Sequence, residues 1–276
     1  MRIGIFAKTF DAQTPGMALR AVKRAGYQAA QYNMACSGLG ALPLAIGEAA
    51  ADGVRGASLE TSIEIAAISA TYNMIHPDIG VRENGRRSFG AIAGRARQMG
   101  AGLLTVCTGS CDPLDQWRDH PDNAGAAAWR EMCGEFQHLL AIAERCDIAI
   151  GVEPELANVV STAQRARELI DNLQSDRIKI VLDPANLFEI EPPGRHGAII
   201  DHAIDLLGEH IALAHAKDRR ADGGFVCAGA GVIDFPRYFA ALRRAGFDGA
   251  VVAHGLSAAE APDVARFLRN ALAALA

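Results

Sequence analysis

The chain has 276 residues, half of them hydrophobic and 21% charged, with 27 basic side chains against 32 acidic ones. This composition excludes a disordered chain, and a net charge of −5 with no basic run argues against nucleic acid as the main partner. No apolar run approaches the ~18 residues of a membrane span, and Lys8 arrives too soon for a signal-peptide core, so a soluble, cytoplasmic protein with no membrane partner is expected.

In chain order, the hydrophobic pattern predicts a first strand over Arg2 to Ala7 and a helix over Pro15 to Ala25 that stops at Gly26. A weak second strand over Gln28 to Tyr32 precedes a helix over Leu44 to Ala51. The β-branched run from Ile63 to Tyr72 predicts the third strand, closed by the polar cluster Asn73-Met74-Ile75-His76-Pro77. A long helix from about Arg82 ends at Gly100, and Leu103 to Cys107 is the fourth strand. The loop from Thr108 to Asn123 is rich in Asp and Pro, and Trp129 to Arg145 is helical. The second half predicts strands over Ile148 to Val152, Ile178 to Leu182, Ile211 to Ala214 and Ala250 to Ala253. Helices over Thr162 to Leu173, Gly197 to Leu207, Phe235 to Ala245 and Ala258 to Leu275 follow them in turn.

These are eight strand-then-helix units with no linker or low-complexity segment between them. Nearly unbroken apolar strands separated by helices imply a parallel sheet covered on its outer face. Eight units in this length suit a closed barrel better than an open sheet, so the expected fold is α/β, a single (β/α)8 TIM barrel over residues 1–276. The six cysteines are scattered; Cys107 and Cys111 lie four apart, but no second pair follows at zinc-site spacing, and reduced thiols are expected.

In such a barrel, function collects at the carboxyl ends of the strands. The fifth strand runs into Glu153, the sixth into Asp183, the seventh into His215 and the eighth into His254. Taken singly, each has an ordinary structural explanation: an acid caps a turn, and a histidine packs and hydrogen-bonds. Together they are more informative, because adjacent strands bring their end residues to one rim. Two carboxylates and two imidazoles there would be costly without a cation, and their mixed O/N donors suit Mn, Zn, Co or Fe.

The chain also resembles the sugar phosphate isomerase/epimerase group of xylose isomerase-like TIM barrels. The resemblance rests on Glu153, on Asp183-Pro184-Ala185-Asn186, on His215-Ala216-Lys217-Asp218, and on Gly229-Ala230-Gly231-Val232-Ile233-Asp234-Phe235. It implies one divalent metal, commonly Mn or Mg, held by a Glu, an Asp, a His and a second Glu. The two Glu flank the substrate and exchange a proton beside a carbonyl. By motif, Glu153, Asp183 and His215 take the first three places. His254 stands where the second Glu is expected, and Asn186 where some members carry a His. The resemblance further implies a homodimer and a small carbohydrate substrate.

The resulting expectation is a metal-dependent sugar isomerase or epimerase working through an enediolate. Glu153 acts as base, as ligand or as both, His254 as ligand or reprotonating acid, and Lys217 as a cation for an oxyanion. Asn73, His76, Asn186 and Asp218 are candidates for sugar hydroxyls. Trp117 lies in the longest loop, a candidate lid over a sugar ring, and Glu155 is either a supporting or a solvated acid. Two other readings are open: a lyase or dehydratase on an oxidised sugar or glycoside, and a carbohydrate-binding barrel without turnover.

Overall fold

The computed structural model describes residues 1–275. Its elements are β1 (Arg2–Phe6), α1 (Pro15–Arg24), β2 (Ala29–Tyr32), α2 (Glu48–Thr61), β3 (Glu64–Ser69), α3 (Ile79–Met99), β4 (Leu103–Val106), α4 (Ala126–Cys146) and β5 (Ala149–Val152). There follow α5 (Ala163–Leu173), β6 (Ile178–Leu182), α6 (His196–Leu207), β7 (Ile211–Arg219), β8 (Phe225–Cys227), α7 (Phe235–Arg244), β9 (Ala250–Ala253) and α8 (Ala261–Ala273). Parallel pairing runs from β1 through β7 in sequence order, and β7 pairs with β9, which returns to β1. The barrel is therefore closed and leaves no sheet edge, with β8 as a short antiparallel flap on the outer half of β7.

Local sequence accounts for half of the eight α-helix starts. Thr14, Asp78, Thr162 and Asp234 each accept a backbone N–H of the first turn, and Pro15 supplies a pre-set φ. Strand alternation then sorts the side chains into two layers. Ile5, Ala30, Leu104, Ile150, Ile180, Leu182, Ala214, Val251 and Ala253 belong to the layer shared with the helices. Their neighbours Ala29, Leu103, Val181, Leu213, Ala250 and Val252 form a separate cluster inside the barrel. Gly151 belongs to that inner set, since a Cβ there would come within 2.8 Å of Val181 Cγ2 and 3.3 Å of Leu103 Cδ1.

Three elements differ from the sequence expectation. α2 starts at Glu48 and runs on to Thr61 through Gly53 and Gly56, while Leu44 stays in the preceding loop. Packing against α1 and α3 overrides the low propensity of its glycines. β7 continues five residues past Ala214, because β8 pairs with its end: Lys217 with Cys227, Asp218 with Val226 and Arg219 with Phe225. The long loop after β4 is cross-braced rather than free. Asn123 donates to Ser110 Oγ (3.0 Å) and Ala157 O (2.9 Å), and Asn158 accepts from Gly109 N (2.8 Å) and donates to Gln116 O (3.0 Å).

The layering yields paired expectations for glycine. Gly151→Ala forces a methyl into the filled barrel interior and should cost about 1–3 kcal/mol. Gly94→Ala, on the exposed face of α3 with no atom within 4 Å of the new Cβ, should stabilise by about 0.5–1 kcal/mol. Urea unfolding midpoints of the two variants measure both signs.

Candidate metal centre

The two-residue period that fills the barrel interior also aims the residues above it. Inward Gly151 is followed by inward Glu153, Val181 by Asp183, Leu213 by His215 and Val252 by His254. Glu153 extends its strand through Glu153 N to Val106 O at 2.9 Å, and His254 through its N to Ala216 O at 3.3 Å. Asp183 caps a short turn, its Oδ1 accepting Ala185 N at 2.9 Å, which leaves Oδ2 for the barrel mouth.

Glu153, Asp183 and His215 each present one donor atom, all within 4.8 Å of one another. His215 Nδ1 lies 3.2 Å from Glu153 Oε1 and 3.6 Å from Asp183 Oδ2. The opposite ring atom, Nε2, is 2.8 Å from Gln31 Oε1, and Gln31 in turn donates to Thr105 Oγ1 at 3.0 Å. An amide oxygen only accepts, so Nε2 carries a proton and Nδ1 is the atom turned to the carboxylates. Glu153 is held from two sides, by Asn186 Nδ2 on Oε1 (3.1 Å) and the Cys107 thiol near Oε2 (3.7 Å).

His254 stands beside this group of three. Its ring stacks on His215 with centroids 5.3 Å apart and planes 12° from parallel, and Phe6 covers it at 5.5 Å. Five buried side-chain polar atoms among the described residues lack a hydrogen-bond partner, and three belong here: Asp183 Oδ2, Asn186 Oδ1 and His254 Nδ1. Unpaired buried acceptors are rare and costly, and a cation bound among them would satisfy them. The donor set of carboxylate oxygens and imidazole nitrogen fits a divalent ion.

The electrostatics of these side chains follow from their crowding. Burial opposes a charge on His215, but the carboxylates of Glu153 and Asp183 outweigh it and raise its pKa from 6.5 to about 10. Burial likewise pushes Glu153 and Asp183 upward, and the His215 cation overrides it and holds both below their usual values. His254 goes the other way, down to about 4, through burial and the charge of His215. Burial and then Glu153 lift Glu155 to about 7 and keep the Cys107 thiol protonated.

Other residues singled out in the sequence fall into two groups. Lys217 points inward, 8% exposed, with Nζ 3.3 Å from the Phe225 ring centre; Arg219 covers the same ring at 4.0 Å. Trp117, half exposed, stands on the rim between two clefts. Asn73, His76 and Asp218, by contrast, are bonded to neighbouring chain segments. Asp218 is one residue out of phase with His215 and Lys217, so it faces outward. Its carboxylate accepts Arg219 N (2.8 Å), Gly229 N (3.0 Å), Gly231 N (3.0 Å) and Ile233 N (3.1 Å), pinning the glycine-rich loop. Gly231 has no room for a Cβ against Arg219 O and the Asp218 carboxylate, which explains the glycine of that motif. Asn73 bonds Ser110 O and accepts Ile75 N and Ser110 N, while His76 accepts Asp78 N and meets Pro113 O. Both are committed to joining loops.

Gln31, Thr105 and Cys107 escaped sequence reading as site residues. The available signal was polar or thiol side chains in phase with the inward positions of β2 and β4.

Over residues 19–271 the chain matches the family described as xylose isomerase-like TIM barrel. It belongs to that family. Among relatives of this barrel is a ketose 3-epimerase of Arthrobacter globiformis, 32% identical over 134 residues; the match spans 46% of this chain and 43% of that protein. A solved D-tagatose 3-epimerase-like protein superposes with a TM-score of 0.80 at 17% identity, covering 100% of this chain and 98% of the other. A 3-keto-D-glucoside 4-epimerase from E. coli does so with a TM-score of 0.76 at 18% identity, covering 98% and 99%. At such identities the two structures speak for the fold.

The geometry predicts that metal uptake displaces a proton. With its pKa near 10, His215 is charged at pH 7.5 and must lose about one proton per ion bound, so affinity should rise with pH. Calorimetric titration with Mn in two buffers of different ionisation heat measures that release. Asp183→Ala should abolish binding without changing the circular dichroism, and Gln31→Leu should weaken it by about 10–100-fold.

Proposed function

We propose that this xylose isomerase-like barrel is a divalent-metal-dependent sugar isomerase or epimerase, transferring a proton at the carbon beside a carbonyl of a small ketose or keto-sugar. The observation that carries this reading is the convergence of Glu153, Asp183 and His215 at the barrel mouth, with one potential ligand atom of each within 4.8 Å of the others and Asp183 Oδ2 left unpaired. The names of the relatives, a ketose 3-epimerase and a 3-keto-D-glucoside 4-epimerase, favour the same substrate class.

An ion such as Mn, held by Glu153, Asp183 and His215, would supply Lewis acidity to a carbonyl and its neighbouring hydroxyl. Glu153 removes the substrate proton. Its Oε1 is anchored by Asn186, whereas Oε2 has only the long thiol contact, which makes Oε2 the freer oxygen. His254 exchanges a proton on the other side of the substrate in the place of a second carboxylate. Lys217, buried at the mouth, lends positive charge to the oxyanion that develops as the proton leaves.

One observation favours a second reading. Burial and the neighbouring His215 keep His254 neutral near pH 7, so the two proton-exchanging groups are chemically unlike. Such asymmetry suits removal of a proton from one face followed by loss of a β-hydroxyl, a dehydratase reaction.

The test is incubation with Mn and a panel of ketoses and 3-keto-glucosides in D2O, followed by mass spectrometry. Epimerisation predicts one deuterium in recovered and product sugar, and dehydration predicts loss of water. Glu153→Gln should lower either rate by at least about 100-fold with the fold unchanged. Undiminished exchange in that variant would remove Glu153 from the mechanism.

A further inference from the structure

Resting on the proposed sugar chemistry, we propose that the groove on the β2–β3–β4 side of the barrel mouth is a subsite for a neutral apolar aglycone. The substrate is then a sugar carried as an alkyl or aryl glycoside. The groove has a volume of about 650 Å³ and is walled by Leu42, Leu44, Val81, Pro113, Leu114 and Trp117. Several of these are open to water: Leu114 is 84% and Leu44 54% exposed. Large apolar side chains gathered on loops at a site mouth mark a place where something apolar is bound.

The groove approaches the proposed chemistry along its inner wall, although none of Glu153, Asp183, His215 and His254 lines it. Thr71, on its inner wall, donates to Thr105 O at 3.4 Å and neighbours Cys107, whose thiol meets Glu153 Oε2. Two side chains thus separate the groove from the base. Trp117 forms a partition, with the apolar groove on one side and a cleft of about 370 Å³ containing Glu155, Glu189 and Arg219 on the other. A bare sugar ring, hydroxylated all round, gains little from aliphatic walls and needs hydrogen-bond partners there. Of the polar side chains that line it, Asn73, His76, Tyr72 and Ser88 are committed to other contacts, and Asn84 and Gln116 at its edge are left to meet polar atoms of the ligand. No lysine or arginine lines the groove, and Asp115 is its one acid, so a phosphate or carboxylate has no counter-charge. The bracing of the β4 loop by Asn123, Asn158 and Asp112 also forms the groove in advance, without an ordering cost on binding.

The test compares phenyl and methyl β-D-glucoside as ligands of the Mn-loaded protein by intrinsic fluorescence, which reports Trp117 and Trp129. Neither ligand carries a keto group, so binding is read apart from turnover. Phenyl glucoside should bind about 10–100-fold tighter than methyl glucoside, the range expected for burying one ring. Leu44→Asp combined with Leu114→Asp, both exposed and outside the proposed metal centre, should erase the preference while leaving the weak methyl-glucoside affinity in place. Equal affinity of the two ligands, or a preference that survives the double substitution, would overturn the subsite. So would a dimer in sedimentation that the double variant dissociates, since the groove would then belong to a second copy of the chain. A retained phenyl preference with no deuterium exchange on any sugar supports the groove and discards the proposed reaction instead.

Discussion

Glu153 and Asp183 are two carboxylates removed from water at the same point of a closed barrel, and the architecture around them answers that one electrostatic demand. Isolated buried charges are prohibitive, and the two carboxylates raise the pKa of His215 between them to about 10. The supporting contacts follow from it. Gln31 and Thr105 hold the far side of the imidazole, and Asn186 and Cys107 hold Glu153. Even so, Asp183 Oδ2 and His254 Nδ1 remain without partners, which gives a divalent ion a physical role in completing the site.

The same demand separates two imidazoles that are stacked almost in parallel. One charge is affordable against the two acids and a second is not, so His215 is driven up to about 10 and His254 down to about 4. A glutamate in the place of His254 would have added a third buried negative charge. The histidine lowers the negative charge of the site and makes its two sides unlike, which bears on the choice between symmetric epimerisation and one-sided elimination.

Outside this cluster, the rim is built for rigidity. Asp218 draws four backbone N–H groups onto one carboxylate, tying the extended end of β7 to the loop before α7. Asparagines at 73, 123 and 158 brace the loop after β4. Trp117 therefore stands on a fixed support, and the two clefts it separates keep their different character, one charged and one with mostly apolar exposed walls.

Much of this was legible in the chain alone. Apolar runs alternating with amphipathic stretches are local consequences of side-chain chemistry, and they imply a parallel α/β barrel without reference to any distant contact. Strand-end positions identify Glu153, Asp183, His215 and His254 for the same reason, because a polar residue after an apolar strand leaves its sheet at the carboxyl rim. The phase of Asp218, one step from His215 and Lys217, was equally present in the sequence but lay beyond the expected end of the seventh strand at Ala214. What only the tertiary structure decided depends on approach between distant segments. Gln31 meets His215 across 184 positions of sequence, β8 lengthens β7 by pairing, and glycines 53 and 56 remain helical because α2 is packed on both sides. Hydrogen-bond competition was settled there too: Asn73 and His76 bond their own loops before they can meet a ligand, and no local pattern reveals which partner wins.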